Sequence, residues 1–149
     1  MTCAYFPLPG SLKRAHEELL ADLARASGEG GRLGLAADTA QSIIVPHMQR
    51  EVEFALPSLA LLRDLADGSI SEDMAPVLLL VDRFRRWLPE MFSDHRDIAM
   101  VMMDLEAAAM DDRKPEFARV VPRALLHTEM EVVIYPASLL VGQYLGIRL

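Results

Sequence analysis

The chain has 149 residues, enough for one domain with a full apolar core and too few for a second folding unit. Fifteen Lys and Arg against 22 Asp and Glu give a net charge of -7, and 52% of the residues are hydrophobic, which excludes a disordered chain. With no long basic run, neither nucleic acid nor an anionic membrane surface is an expected partner.

The single cysteine, Cys3, allows no internal disulfide and no cysteine-based metal site, which points to a reducing cytoplasm. Residues 1 to 14 hold no apolar run of signal-peptide length, since Pro7, Pro9 and Gly10 interrupt it. The longest apolar stretches, 75–81 and 132–141, fall short of the roughly 20 residues that span a bilayer, so the expectation is a soluble protein with no membrane partner.

Helical periodicity dominates and no segment alternates as a strand does, which makes the fold class all-α. After an N-terminal arm of about 1–11, with Ser11 as N-cap, Leu12, Ala15, Leu19, Leu20 and Leu23 share one face of a first helix over about 12–26. The run Ser27-Gly28-Glu29-Gly30-Gly31 ends it. A second helix is expected over about 38–66, stopped by Asp67-Gly68.

Ser69 and Glu72 have the spacing of a capping box, and a third helix with Val81, Phe84, Trp87, Ile98 and Met102 on one face reaches Met110. Pro115 suits the first turn of a last helix that continues to about Tyr144. Four long helices with short links predict one up-down-up-down four-helix bundle filling the chain. Pro46, Pro57, Pro89, Pro122 and Pro136 interrupt these patterns and predict kinks or breaks; those at Pro46 and Pro122 would help aim His47 and His127.

The chain has four histidines, His16, His47, His95 and His127, one on each expected helix. His47 is followed by Glu51, and His127 by Glu131, at the four-residue spacing that puts imidazole and carboxylate on one face. The interval from His16 to His47 nearly equals that from His95 to His127, and Pro57 and Leu59 follow the first His-x3-Glu much as Pro136 and Leu139 follow the second. Two pseudo-repeated helical hairpins related by a pseudo-twofold would gather all four imidazoles in the middle of the bundle.

Four imidazoles and two carboxylates left unpaired in a core would carry a large desolvation cost, which a metal removes. His16, His47, Glu51, His95, His127 and Glu131 divide into two sets of two His and one Glu, a donor set suited to non-haem iron. A dinuclear centre follows, in one arrangement bridged by Glu51 and Glu131 with water, hydroxo or oxo completing the shell. The spacing leaves open which histidine serves which ion, and zinc or manganese in place of iron.

These residues resemble the bacterial hemerythrin-like proteins, the HHE cation-binding domains, in which a His on one helix and a His-x3-Glu on the next occur twice. The resemblance runs from about His16 to Tyr144 and is most specific at His47-Met-Gln-Arg-Glu51 and at His127-Thr-Glu-Met-Glu131 with Tyr135-Pro136. It implies two iron ions inside a four-helix bundle, with dioxygen, nitric oxide or iron level as signal. Oxygen carriers of the family have His-x3-His on the third helix, whereas Met91 and Ala99 flank His95 here at that spacing, which argues against a reversible oxygen carrier. Val52 and Val132 follow the two glutamates where many members have a second glutamate.

Among neighbouring residues, Tyr135 lies one turn beyond Glu131, within reach of a ligand. Glu17, Glu18, Glu53, Asp97 and Glu129 read as solvated, and the nine methionines, Met100, Met102 and Met103 among them, as core filling. Trp87 with Arg83, Arg85 and Arg86 reads as a solvated face beside one buried aromatic, with a docking patch as the alternative. The functional expectation is a non-haem di-iron protein that binds a diatomic or senses iron or redox state and signals to a protein partner of unknown identity. The alternatives are a di-iron oxidase or peroxidase acting on peroxide, and a metal-free helical interaction module.

Overall fold

The computed structural model describes Phe6 and residues 8–149; Cys3 and most of the N-terminal arm lie outside the described residues. Among the described residues all regular structure is helical, and four long helices pack together. They are α1 (Gly10–Gly28), α2 (Gly31–Arg50), α4 (Pro76–Asp111) and α5 (Val120–Arg148), with a short α3 (Leu62–Ala66) between the second and the third. α2 packs on α1 and α4, and α5 packs on α4 and α1.

Several helix ends differ from the sequence expectation for reasons that are local or tertiary. α1 starts at Gly10, so Ser11 lies inside it, and no side chain caps it; the N–H groups of Leu12 and Lys13 donate instead to the Pro9 carbonyl, both at 3.1 Å. α2 starts at Gly31 rather than near Asp38. Gly30 and Gly31 both take positive φ, 67° and 61°, which side chains rarely adopt. The cap comes from the far end of α4, where the Asp112 carboxylate accepts the Leu33 N–H at 2.8 Å. A Cβ on Gly31 would lie 2.9 Å from that carboxylate.

α2 also ends earlier than expected, at Arg50. The chain then makes a π turn over Glu51–Ala55 and a 3-10 turn over Pro57–Leu61 before α3. Pro57 has no N–H to continue an α-helical ladder, and the Leu56 N–H donates to the Glu51 carbonyl at 2.9 Å. The Ala55 carbonyl, left without its helical donor, accepts hydrogen bonds from Ser138 Oγ at 2.7 Å and Ser58 Oγ at 3.2 Å.

The Ser69–Glu72 capping box does not form: Glu72–Met74 is a 3-10 turn without a side-chain cap, and α4 begins at Pro76, whose ring disfavours helix on its N-terminal side. Pro115 opens a 3-10 turn, Pro115–Arg119, rather than the last α-helix, which extends beyond Tyr144 to Arg148.

The prolines break the helices less than expected. α2, α4 and α5 run through Pro46, Pro89 and Pro136, and Pro122 sits in the first turn of α5, where its N–H would have no partner in any case. The three interior prolines are exposed, as are Ser42, Arg85 and Val132 four residues before them, so the freed carbonyls face water. Only at Pro57 does helix geometry change. The aiming of His47 and His127 therefore needs no break at Pro46 or Pro122.

The largest apolar core joins Leu19, Leu23, Leu33, Ile44, Met102 and Leu105 toward one end of the molecule. A second core holds Val77, Val81, Val141 and Leu145, and a third holds Ala55, Phe84, Met91 and Tyr135. α5 meets α4 closely at Gly142, where a Cβ would fall 2.4 Å from Val81 Cγ1. Met48, Met74, Met91 and Met102 fill these cores, but Met100 and Met103 are exposed, because the buried stripe of α4 passes through Ile98, Met102 and Leu105 and leaves them on the opposite face. Trp87 is likewise exposed rather than buried.

One stretch, Pro115–Arg148, is long and apolar enough to cross a membrane by length and composition alone. It carries His127, Glu131 and Tyr135, whose side chains are engaged with the other helices as described next.

Candidate metal centre

Six polar or charged side chains are buried among the described residues: His16, His47, Glu51, Ser58, Glu131 and Ser138. Four of them meet His95 and His127, which are partly buried, in one cluster between the apolar cores. α1 supplies His16, α2 supplies His47, the π turn Glu51, α4 His95, and α5 both His127 and Glu131. Every residue expected as a metal ligand is thus in this cluster.

The cluster sorts into two groups, His16 with Glu51 and His127, and His47 with His95 and Glu131, the donor atoms of each lying within 4.8 Å of one another. Ligand atoms held at about 2.1 Å from one ion are separated by about 3–4 Å, so each group could close on a metal with small side-chain adjustments. The glutamates reach across both groups. Glu51 Oε2 lies 3.0 Å from His16 Nε2 and 3.4 Å from His127 Nε2, while Oε1 lies 3.3 Å from His47 Nε2. Glu131 Oε2 approaches His95 Nε2 and lies 3.3 Å from His47 Nε2, and Oε1 lies 2.8 Å from His127 Nε2.

All four imidazoles turn Nε2 toward the carboxylates and toward one another. His16 Nε2 and His127 Nε2 stand 3.1 Å apart, and their rings meet edge to face. His95 Nε2 and Glu131 Oε1 make no hydrogen bond of acceptable geometry although both are buried and close to oppositely polarised atoms. Lone-pair atoms that converge and cannot all be satisfied by the available protons are a costly arrangement for a core and a favourable one for a cation. The residues present therefore fit a bound metal.

The electrostatics of the metal-free protein express the same crowding. Burial alone would push the His47 imidazole down, but hydrogen bonds and charge from Glu131 and Glu51 outweigh it and raise the pKa to about 10. His127 is raised to about 9 by Glu131 and Glu51 against the same opposing burial. Burial would push the Glu51 carboxyl up, yet its contacts with Glu131, His127, His16 and His47 hold it well below the usual range. Glu131 is lowered as well: His127, His47 and His95 overcome burial and the competing bond from Glu51. At neutral pH His47 and His127 are thus held as imidazolium ions beside the Glu51 and Glu131 carboxylates.

Tyr135 is fully buried and its hydroxyl lies 2.6 Å from Glu51 Oε1 and 2.9 Å from Glu131 Oε2, donating its one proton between them. Burial, followed by the charges of both carboxylates, holds the phenol above its usual pKa and keeps it a donor. Phe84 and Phe92 pack against the ring at 5.0 and 5.6 Å between centroids.

Four further contacts were not expected from the sequence. Asp94 Oδ2 accepts from His47 Nδ1 at 3.0 Å, which leaves Nε2 facing the cluster, and Arg50 reaches the same carboxylate at 3.6 Å while lying over the exposed ring of Trp87 at 5.0 Å. Nothing local links Asp94 to His47, because the pairing exists only once α2 and α4 are packed. Ser58 Oγ and Ser138 Oγ stand 2.7 Å apart below the cluster. They follow Glu51 and Glu131 at equal offsets, so extending the repeat one step would have found them. Glu17, Glu18, Glu53, Asp97 and Glu129 are exposed and outside both groups.

No family model, curated protein or solved structure matches this chain.

Proposed function

We propose that the chain is a non-haem di-iron protein of hemerythrin-like design, two pseudo-repeated hairpins in an up-down-up-down bundle, that binds a diatomic such as dioxygen or nitric oxide or responds to iron and redox state. The observation that carries this reading is the pair of buried His2Glu groups, each with Nε2 and carboxylate atoms gathered within 4.8 Å. Two such groups, sharing carboxylates that touch both, match a pair of adjacent ions better than one ion. His16, His127 and Glu51 would hold one ion, and His47, His95 and Glu131 the other, with Glu51 and Glu131 each turned toward both. When bound, ferrous iron in a site with open positions supplies diatomic binding or one-electron chemistry.

The protein's own contribution is orientation. Asp94 turns His47 Nε2 toward the cluster and Tyr135 fixes the carboxylates, while His16 and His127 line open clefts of about 570 and 210 Å³. The His-x3-Glu pattern, which resembles the HHE domains, supports iron; the donor set by itself serves zinc as well.

The test is elemental analysis of untagged protein after anaerobic ferrous loading, beside the variant His47→Ala/His127→Ala. About two irons per chain in the parent, lost in the variant, is the expected result. A parent that takes up no iron, and whose melting temperature is indifferent to iron, overturns the reading, because a metal that binds only the folded state must stabilise it. Titration of the loaded protein with nitric oxide under anaerobic conditions then checks diatomic binding through a change in the visible spectrum.

A further inference from the structure

α5 has a second apolar face, directed away from the metal cluster. Leu126, Met130, Val133, Ala137, Leu140, Tyr144 and Ile147 follow one another in alternating steps of four and three residues. That is the a/d pattern by which one helix packs along another, and it is sustained here for three heptads. These side chains are not spent inside the molecule: Val133 is 72% exposed, Leu140 61% and Ile147 83%. Only 33% of the most apolar 18-residue stretch of this helix is buried. No charged residue lies on the stripe. Beside its C-terminal half, Leu62 and Leu65 of α3 form a groove of about 440 Å³ with Leu140 and Tyr144.

We propose that this face pairs with the same face of a second copy of the chain, α5 against α5 in antiparallel sense, about a two-fold axis at Ala137. The order of the stripe is close to palindromic around that residue. An antiparallel partner sets Leu126 against Ile147, Met130 against Tyr144 and Val133 against Leu140, and it brings the two Ala137 residues together where small side chains allow close approach. The groove favours the same direction. Lying beside only the C-terminal half of the helix, it receives Met130 of an antiparallel second copy, whereas a parallel pairing would set groove against groove and leave both empty. Opposed helix dipoles add to the preference.

Six of the seven stripe residues are 41–83% exposed and adjoin the apolar groove, a contiguous apolar surface of the kind that marks an interaction site and not the singly scattered exposed side chains normal for a monomer. A membrane is the less suited occupant. The net charge of -7 repels anionic lipid, and α5 is held in the molecule by His127, Glu131 and Tyr135. The pairing does not depend on metal content and stands or falls separately from the proposed function.

The test uses the full chain in sedimentation equilibrium from about 1 to 500 µM, a range that brackets micromolar association. Parent protein is expected at twice the monomer mass, and Val133→Asp/Leu140→Asp is expected to raise the dimer dissociation constant at least ~100-fold while keeping the helicity of the folded chain, since both positions are exposed. On a Cys3→Ser background, an oxidised mixture of Met130→Cys and Tyr144→Cys proteins is expected to yield the mixed cross-linked dimer, with little cross-linking of either alone. A parent that stays monomeric at the highest concentration overturns the proposal, as does a dimer that survives the double aspartate variant. Self-cross-linking of Met130→Cys alone overturns the antiparallel direction. Flotation of monomeric parent with phosphatidylcholine or phosphatidylglycerol vesicles assigns the face to a membrane and overturns it also.

Discussion

Tyr135 and Ala55 occupy the same position relative to Glu131 and Glu51, one turn downstream of each, and pack in one buried cluster, yet only Tyr135 carries a hydroxyl. That hydroxyl bonds both carboxylates, so one residue of α5 serves both glutamates. Ala55 makes room for it. Tyr135→Phe keeps the ring packing and removes the donor. The expected outcome is a loss of about 1.5–3 kcal/mol in metal-free stability, read by urea unfolding, because a hydrogen bond to a charged group disappears. Iron affinity should fall by about 10-fold in competition with a chelator. Unchanged values in both measurements would show that the carboxylates hold themselves.

Asp94→Asn tests the orientation of His47. The amide can still accept from Nδ1, but it no longer carries the charge that stabilises the ring and engages Arg50. Iron affinity is expected to drop by about 10- to 100-fold, as for other groups that orient metal-binding histidines. Asp97→Asn, on an exposed carboxylate outside the cluster, should leave affinity unaltered. Equal behaviour of the two variants would remove Asp94 from the site.

The pH dependence of metal-free stability follows from the shifted groups. His47 and His127, raised from 6.5 to about 10 and about 9, contribute stability that is complete below pH 6.5 and is lost as pH rises through 9 to 10. Glu51 and Glu131, lowered from 4.5, contribute stability that is complete above that value and is lost as pH falls below it. Urea midpoints measured from pH 3 to 11 should therefore be highest between about 4.5 and 6.5, decline steadily from there through neutrality to about pH 10, and decline again on the acid side. Because metal ligands must give up their protons, iron loading at pH 7 is expected to release about two protons per chain. Calorimetry in buffers of different ionisation enthalpy counts them, and a count near zero would contradict the charge state described for the cluster.

Gly142→Ala probes the α4–α5 contact. In an exposed helix this change gains about 1 kcal/mol. Here the new methyl meets Val81 Cγ1 at 2.4 Å, so a net destabilisation of about 1–3 kcal/mol is expected from overpacking. Adding Val81→Ala should recover part of the loss, and thermal unfolding of the single and double variants gives the comparison.

The all-helical class and the membership of the cluster were legible in the residues themselves. Apolar spacing is a property of the chain, and with only four histidines, two of them in matched His-x3-Glu pairs, few ways remain to satisfy the polar groups. Glu51 and Glu131 were recognisable for the same reason, and the serine pair below them was recoverable from the repeat. The start of α2 was not, because its cap is an aspartate at the far end of α4, and the change of helix geometry after Glu51 leaves the Ala55 carbonyl to be satisfied by Ser58 and Ser138 together.

Local pattern determined which side chains seek the interior; packing decided their partners. The assignment of His127 to Glu51 and of His47 to Glu131, each crossing from one half of the chain to the other, exists only when α1 and α4 hold α5 across the bundle from α2 and the π turn that follows it. The same holds for Asp94 behind His47 and for Arg50 over Trp87. Hydrogen bonds and metal donor sets act over a few ångströms, whereas the residues that form them are separated by most of the chain. Their order along the sequence therefore states which groups must be satisfied, and the tertiary structure alone states by whom.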